Sequence, residues 1–449
     1  MRSARTPIAA ALLACLAAAA WPQSKLAQTP PMGWNSWDSF GTTVTEDEVK
    51  ANAGYMARHL ASHGWQYVVV DIQWAEQNPK THGYQPVAQL AMDEFGRLIP
   101  APNRFPSSAG GQGFKPLADY VHAKGLKFGI HIMRGIPRRA VDADLPVSGS
   151  AVKASAIADK SSLCPWNPDM YGVDPSRPGG QQYYDSIAKL YASWGVDFIK
   201  ADDMFAPGPK DDHSAEIAAL NKAIRNSGRP MVLSLSPGTH SVGKAQFIAA
   251  HAQMWRISDD FWDRWIDLKN QFPNLAKWNP YSRPGNWPDA DMLPLGHIGI
   301  RAERGQPRMS RFTRDEQYTL MTLWSVARSP LMFGGHLPDN DEFTLSLLTN
   351  DEVLAVNQRA ASSRQLFARG SQVAWVAELP GSQVKYLAVF NTGDAAAEVA
   401  VQWSELGLPE KCSLRDLWRK QDLGPVAGGR GFLLAPHASV FLKVSPAGR

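Results

Sequence analysis

Apolar residues fall into short runs of strand length over the first three quarters of the chain, and each run is followed by a stretch with helical spacing. PPMGWNSWDSFG, from Pro30, predicts a first strand and its loop. Thr45 with acids just after it predicts an N-cap for the amphipathic run that follows, and Gly64 closes that helix. YVVVD is a second strand. After a long Gly/Pro-rich segment from Ala75 to Gly113, the helix KPLADYVHAKG leads into the strand LKFGIHIM. Residues 135–178 read as a second irregular insertion. Beyond it, QQYYDSIAKLYASWG, SAEIAALNKAIRNSG, KAQFIAAHAQ and RDEQYTLMTLWSVARS are helical, alternating with the strands VDFIKAD, PMVLSLS, MWRIS, PDADML and PLMFGG. DEFTLSLLTNDEVLAVNQ is a last helix. Eight strand-helix alternations predict an α/β protein whose parallel sheet closes into a (β/α)8 TIM barrel, spanning residues 28–357. From residue 358 to 449 the texture changes. QVAWVAEL, KYLAVFNTG, AEVAVQW and ASVFLKV are short alternating runs bounded by turn residues, as in an antiparallel β-sandwich domain.

Several of the barrel strands end in acid. VDFIKADDMF places Phe198, Lys200 and Asp202 on one face and Ile199, Ala201 and Asp203 on the other, because side chains alternate along a strand. A lone acidic pair is commonly just a strand running into a loop. Here the pattern recurs in YVVVDIQW, MWRISDD and PDADML, and the strand ends of a parallel barrel all open on one face. Lys200 beside Asp202 would keep that carboxylate ionised, as suits a nucleophile. Alternation sets Asp203 opposite Lys200 and Asp259 opposite Arg256, which favours Asp202 and Asp260 as the working acids.

Residues 1–20 carry Arg2 and Arg5 before an Ala/Leu-rich run too short to span a membrane, and are expected to be a secretory signal peptide; a secreted or periplasmic enzyme follows. The remaining 430 or so residues contain only Cys164 and Cys412, so a buried core rather than a disulfide framework must hold the chain together. A net charge of +4, partly in the leader, is too small and scattered to imply nucleic acid or a membrane surface as a partner. Sixteen Trp residues fit a sugar-binding protein better, since flat apolar rings hold sugars. No glycine fingerprint precedes a helix, and neither HExxH nor paired CxxC is present, so no cofactor and no metal are expected.

GWNSW at 33–37, VVVDIQW at 68–74, IKADDM at 199–204, WRISDD at 255–260 and NWPDADML at 286–293 resemble, in order and over nearly the whole chain, the motifs of glycoside hydrolase family 27, the α-galactosidase or melibiase family. The resemblance implies an exo-acting retaining glycosidase that removes terminal α-D-galactosyl residues. Asp202 takes the place of the family's nucleophile and Asp260 that of its acid/base. Such a mechanism uses two carboxyls roughly 5–5.5 Å apart, one attacking while ionised and the other donating a proton. By the same resemblance Trp37 and Asp71 hold the ring and its 4- and 6-hydroxyls, and Lys200 donates to the 3- or 4-hydroxyl. Asp291 resembles a supporting acid of the pocket, and Arg256 is either one half of a structural ion pair or a clamp on a sugar hydroxyl and Asp202. Trp34, Trp74 and Trp287 are either core or platform, and His131 falls where the family often has Tyr.

Two departures bear on the sugar. Many α-galactosidases have DDCW where this chain has Asp71-Ile72-Gln73-Trp74, so the acid that reads the 6-hydroxyl is replaced by an apolar side chain. Family members with that replacement include β-L-arabinopyranosidases, whose sugar is galactose without its C6 group. In SLSPGT, Ser236 stands where the α-galactosidases have a Glu-Trp pair near the 2-hydroxyl, and the family's α-N-acetylgalactosaminidases share the serine. The expected partner is therefore a glycan bearing galactose or arabinopyranose. A sugar-binding barrel without catalysis is the reading from a different class, and the survival of both acids argues against it.

Overall fold

The computed structural model describes residues 26–205, 213–238 and 241–447. The expected leader lies outside the described residues. Eight parallel strands follow one another around the sheet in chain order: β1 (Met32–Asn35), β2 (Tyr67–Val70), β3 (Lys127–Met133), β4 (Phe198–Asp202), β5 (Val232–Leu235), β6 (Met254–Arg256), β7 (Trp287–Asp289) and β8 (Leu331–Phe333). β1 pairs with β8, and a parallel bridge from Leu293, just past β7, to Phe333 closes the ring. The Leu293 amide donates to Met332 and the Gly334 amide to Leu293 across that seam.

The period of two sorts the strand residues physically. Tyr67, Val69, Phe198, Val232, Met254 and Met332 fill the lumen, while Val68, Val70, Ile199, Ala201, Leu233, Leu235 and Trp255 pack outward under the helices. The helices are α1 (Glu46–His59), α2 (Lys115–His122), α3 (Gly180–Trp194), α4 (Ser214–Asn226), α5 (Ala245–His251), α6 (Trp265–Trp278) and α7 (Arg314–Ala327). Thr45 and Glu48 form the capping box of α1, each answering an amide the first turn leaves open. A short 3-10 turn, Ala61–His63, follows before Gly64 reverses the chain at a φ of 96°.

The structure differs from the sequence expectation in three places. The insertion at 135–178 is not irregular throughout: Ile136–Pro137, Ala158–Leu163 and Met170–Val173 make a small antiparallel sheet. The last helix is two, Glu342–Leu348 and α8 (Asp351–Arg359), because the Asn350 side chain accepts the Glu352 and Val353 amides and starts a new helix. Among the described residues the C-terminal domain has eight strands, from Ala361–Arg369 to Ser439–Pro446, where the alternation marked four. The missed strands, such as Lys411–Asp416, Gln421–Ala427 and Gly429–Leu434, carry charges, Gly and Pro that hide their period.

The two domains share a core. α7 is buried on nearly every side from Thr319 to Ala327, and Trp324 and Leu320 belong to the same apolar cluster as Trp375, Phe390 and Phe441 of the C-terminal sheet. His437 stacks on Trp265 with ring centroids 3.8 Å apart and meets Glu316, at the start of α7, at 2.7 Å.

Candidate active site

The C-terminal ends of the strands bring the acids together. β4 delivers Lys200 and Asp202 on its lumen face, in register with His131 and Met133 of β3. Asp202 is buried, its Oδ2 lies 3.1 Å from His131 Nε2, and its Oδ1 accepts the Asp203 amide at 2.9 Å. Burial alone would raise its pKa. The hydrogen bond and charge of His131, then Lys200 and the Asp203 amide, outweigh it and hold the carboxyl down at about 2. Asp202 is thus an ionised, positioned carboxylate with one face on the cavity.

Lys200 stands beside Asp202 and its charge helps hold that carboxyl down, as strand alternation predicts, while its hydrogen bond goes to Oδ2 of Asp71 at 2.9 Å. The same Asp71 oxygen accepts Asn35 Nδ2 at 2.7 Å, and its Oδ1 accepts the Ile72 amide at 2.9 Å. Against the cost of burial, the charges of Lys200 and His131 and the Asn35 bond lower the Asp71 pKa. The ammonium of Lys200, although burial opposes it, is held charged by Asp71 and Asp202. Asn35 also fixes the first loop by accepting the Trp37 amide at 2.9 Å.

On the far side, Arg256 ends β6. Its Nη2 donates to Asp260 Oδ1 at 3.2 Å and lies 2.9 Å from Asp291 Oδ2, so the clamp grips those two acids and makes no hydrogen bond to Asp202. β6 stops at Arg256, and the chain turns before Asp259 and Asp260, which is why strict alternation does not govern either acid. Both face the cavity. Asp260 has 35% of its side chain exposed and leans on Arg256, while Asp259 lies against Gly238. Asp291, at a φ of 85°, accepts the Phe261 amide at 2.7 Å and so ties the loop carrying Asp260 to β7. Behind it, burial and then the Asp291 charge push Asp289 up to about 7.

Asp203 is placed elsewhere. Arg134 binds its Oδ2 at 2.7 Å and Glu216 at 2.7 Å, in a buried cluster completed by the Tyr184 hydroxyl on Glu216. Trp34, Trp74 and Trp287 are core: each indole N–H donates to a backbone carbonyl, of Gly335, His131 and Ala27 respectively. Ser236 is buried; its amide donates to Ala201 and its carbonyl accepts from Met204, and it is Pro237 that lines the cavity.

The resulting cavity has a volume of about 300 Å³. Trp37, Ile72, Lys200 and Asp202 line its deep end. Tyr84 and Trp166, one from each insertion, line the mouth with Asp259, Asp260, Glu303 and Arg304. Sequence reasoning noted His131 without giving it a role, and missed Asn35, Tyr84, Glu303 and Arg304. For His131 a signal existed, since it precedes the end of a strand on the lumen face. For Tyr84 none did, because irregular insertions have no period to read. Among the described residues no group of three or more His, Cys, Asp or Glu side chains could hold a metal ion. An ionised buried carboxylate and a more exposed acid lining one sugar-sized cavity, with a charged lysine on its wall, are the groups that nucleophilic substitution at an acetal carbon needs.

The sequence matches the family model described as alpha galactosidase A over residues 29–177 and 171–359, and the model described as the alpha galactosidase C-terminal beta sandwich domain over residues 369–444. Among solved structures it is similar to a glycoside hydrolase family 27 β-L-arabinopyranosidase from Geobacillus stearothermophilus. That protein is 54% identical, with a TM-score of 0.93 over 95% of this chain and 98% of its own. The α-galactosidase of Coffea arabica is 30% identical over 428 residues, 94% of this chain and 95% of that protein. Alpha-galactosidase 2 of Arabidopsis thaliana is 29% identical over 420 residues, covering 92% and 88% of the two chains.

Proposed function

Because this chain belongs to the α-galactosidase, or melibiase, family of glycoside hydrolases, we propose that it removes terminal β-L-arabinopyranosyl residues from glycans, in preference to the isosteric α-D-galactosyl residues, by a retaining double displacement. The observation that carries this reading is Ile72. Its apolar side chain stands in the cavity wall with Trp37, Lys200 and Asp202, at the position after Asp71 where a galactose-binding site would place an acid for the 6-hydroxyl. A hydroxymethyl group directed at Ile72 loses its water without gaining a partner, whereas the bare C5 hydrogen of arabinopyranose loses nothing. The 54% identity to a β-L-arabinopyranosidase supports the same choice.

In this mechanism an Asp202 oxygen attacks the anomeric carbon while Asp260 gives its proton to the departing glycosidic oxygen. The bond to the leaving group breaks and a covalent glycosyl ester forms. Asp260, now ionised, takes a proton from water, which attacks the same carbon and frees Asp202. Lys200, Asp71 and Trp37 hold the ring's hydroxyls and face, and Arg256 orients Asp260. The leader expected over residues 1–20 would deliver the enzyme to the periplasm or medium, where plant oligosaccharides and gum side chains are its substrates.

A panel of aryl glycosides tests the reading: β-L-arabinopyranoside, α-D-galactoside and 2-acetamido-α-D-galactoside, the last because the α-N-acetylgalactosaminidases the sequence resembles share Ser236. The arabinopyranoside is expected to have the highest kcat/KM. A higher value on either of the other two would overturn the assignment of Ile72.

A further inference from the structure

The two insertions bring an aromatic ladder to the cavity that sugar recognition at the deep end does not use. Trp37 sits 6.0 Å from Tyr84, with ring planes 30° apart, and Tyr84 sits 5.6 Å from Trp166. Exposure rises along this series. Trp37 is buried, Tyr84 is half-buried and Trp166 is 37% exposed, the one aromatic among the large apolar side chains that the described residues leave exposed. A single exposed apolar side chain is ordinary on a protein surface; this indole differs in place, since it lines the mouth of the cavity with a second ring behind it.

The loop that presents this indole is anchored. Cys164 is buried at its start, where the Trp166 and Asn167 amides approach the sulfur and the Asp203 charge lies close by. Tyr84 then supports the ring from within. Its hydroxyl, among the described residues, has no protein hydrogen-bond partner, and it lies in the field of Asp202, Glu303 and Asp260. The indole is therefore held at a fixed place on the rim. Glu303 and Arg304, which lie 3.5 Å apart, add polar groups to the same mouth.

Resting on the exo-glycosidase reading, which puts the terminal sugar at the buried end, we propose that Trp166, supported by Tyr84, is the platform of a leaving-group subsite that accepts the second pyranose ring of a glycan substrate. One face of that ring stacks on the indole, and its hydroxyls meet Glu303 and Arg304. The enzyme then selects for a sugar on the leaving side of the scissile bond.

The test compares two leaving groups on one terminal ring: fluoride, which has no ring to stack, and a second pyranose in a disaccharide. Glycosyl fluorides and disaccharides of both arabinopyranose and galactose are assayed, so that the choice of terminal sugar does not enter the comparison. Trp166→Ala should lower the kcat/KM ratio of disaccharide to fluoride about tenfold, and Trp166→Phe should restore most of it. Arg304→Ala, on an exposed side chain, should lower the same ratio and gives an arm independent of the indole. An unchanged ratio in Trp166→Ala overturns the subsite. Inactivity of the unsubstituted enzyme on every fluoride and disaccharide would instead overturn the glycosidase reading itself.

Discussion

His131 Nε2 lies 3.1 Å from Oδ2 of Asp202, and the histidine stands in register beside Lys200 on the neighbouring strand. The carboxyl is depressed to about 2 because these two groups, with the Asp203 amide, outweigh its burial. Replacing His131 with Leu removes the hydrogen bond and leaves burial less opposed, so the acidic limb of the kcat/KM profile should move to higher pH. The sign for stability is the same. A carboxyl whose folded pKa lies below its unfolded 3.8 contributes stability above that value and loses it as pH falls towards 2. The variant should therefore show a smaller loss of melting temperature between pH 5 and pH 2. An acidic limb that stays in place would remove His131 from this role.

Asp260 is read as the proton donor, so its removal should matter in proportion to how poor the leaving group is. Asp260→Ala should lower kcat/KM, which reports the step that expels the leaving group, by about 10²–10⁴-fold for a disaccharide and much less for a 4-nitrophenyl glycoside, since nitrophenolate departs without a proton. Asp202→Ala, in contrast, should abolish turnover on both while the protein stays folded. Equal losses of kcat/KM for the two substrates in Asp260→Ala would contradict its assignment, and an active Asp202→Ala enzyme would leave the reaction without its nucleophile.

Ile72 offers a change of specificity by one side chain. Ile72→Asp places a carboxylate where a 6-hydroxyl would sit, and the ratio of α-galactoside to β-L-arabinopyranoside kcat/KM should rise about tenfold, roughly 1.4 kcal/mol of differential transition-state binding. Steady-state kinetics on the two aryl glycosides decides it. A ratio that does not move means the 6-position is read from somewhere else.

Asp203 is predicted to act on stability rather than chemistry. Arg134 serves both Asp203 and Glu216 in the interior, so Arg134→Met leaves two buried carboxylates without their cation and should cost about 3–5 kcal/mol. Denaturant titration measures that loss. The fraction that remains folded should turn over at close to the original rate, unlike any variant at Asp202.

How much of this was legible in the sequence depended on whether a residue lies on a regular element. The period of two placed Lys200 and Asp202 on the lumen face together, and the eight-fold alternation of strand and helix identified the barrel. It did not say which partner each charged group would choose. Lys200 turns to Asp71 on an adjoining strand end, and Arg256 turns to Asp291 and Asp260, because those choices depend on the distances between strand ends around the ring. The pairing of Tyr84 with Trp166 was invisible for a different reason. They lie about 80 residues apart in two insertions, and only tertiary packing sets their rings 5.6 Å from each other. In the C-terminal domain, strands with one face wet and turn residues inside them, such as Gln421–Ala427, lost the alternation that marks a strand.

The apolar surface of α7 has a consequence for how this molecule can be altered. Since Leu320 and Trp324 are claimed on one side by the catalytic half and on others by Trp375, Phe390 and Phe441, cutting the chain after α8 would lay that helix open to solvent and invite aggregation. The C-terminal module is thus not an appendage that can be deleted or exchanged for another, and any chimera must carry its own matching version of that helix.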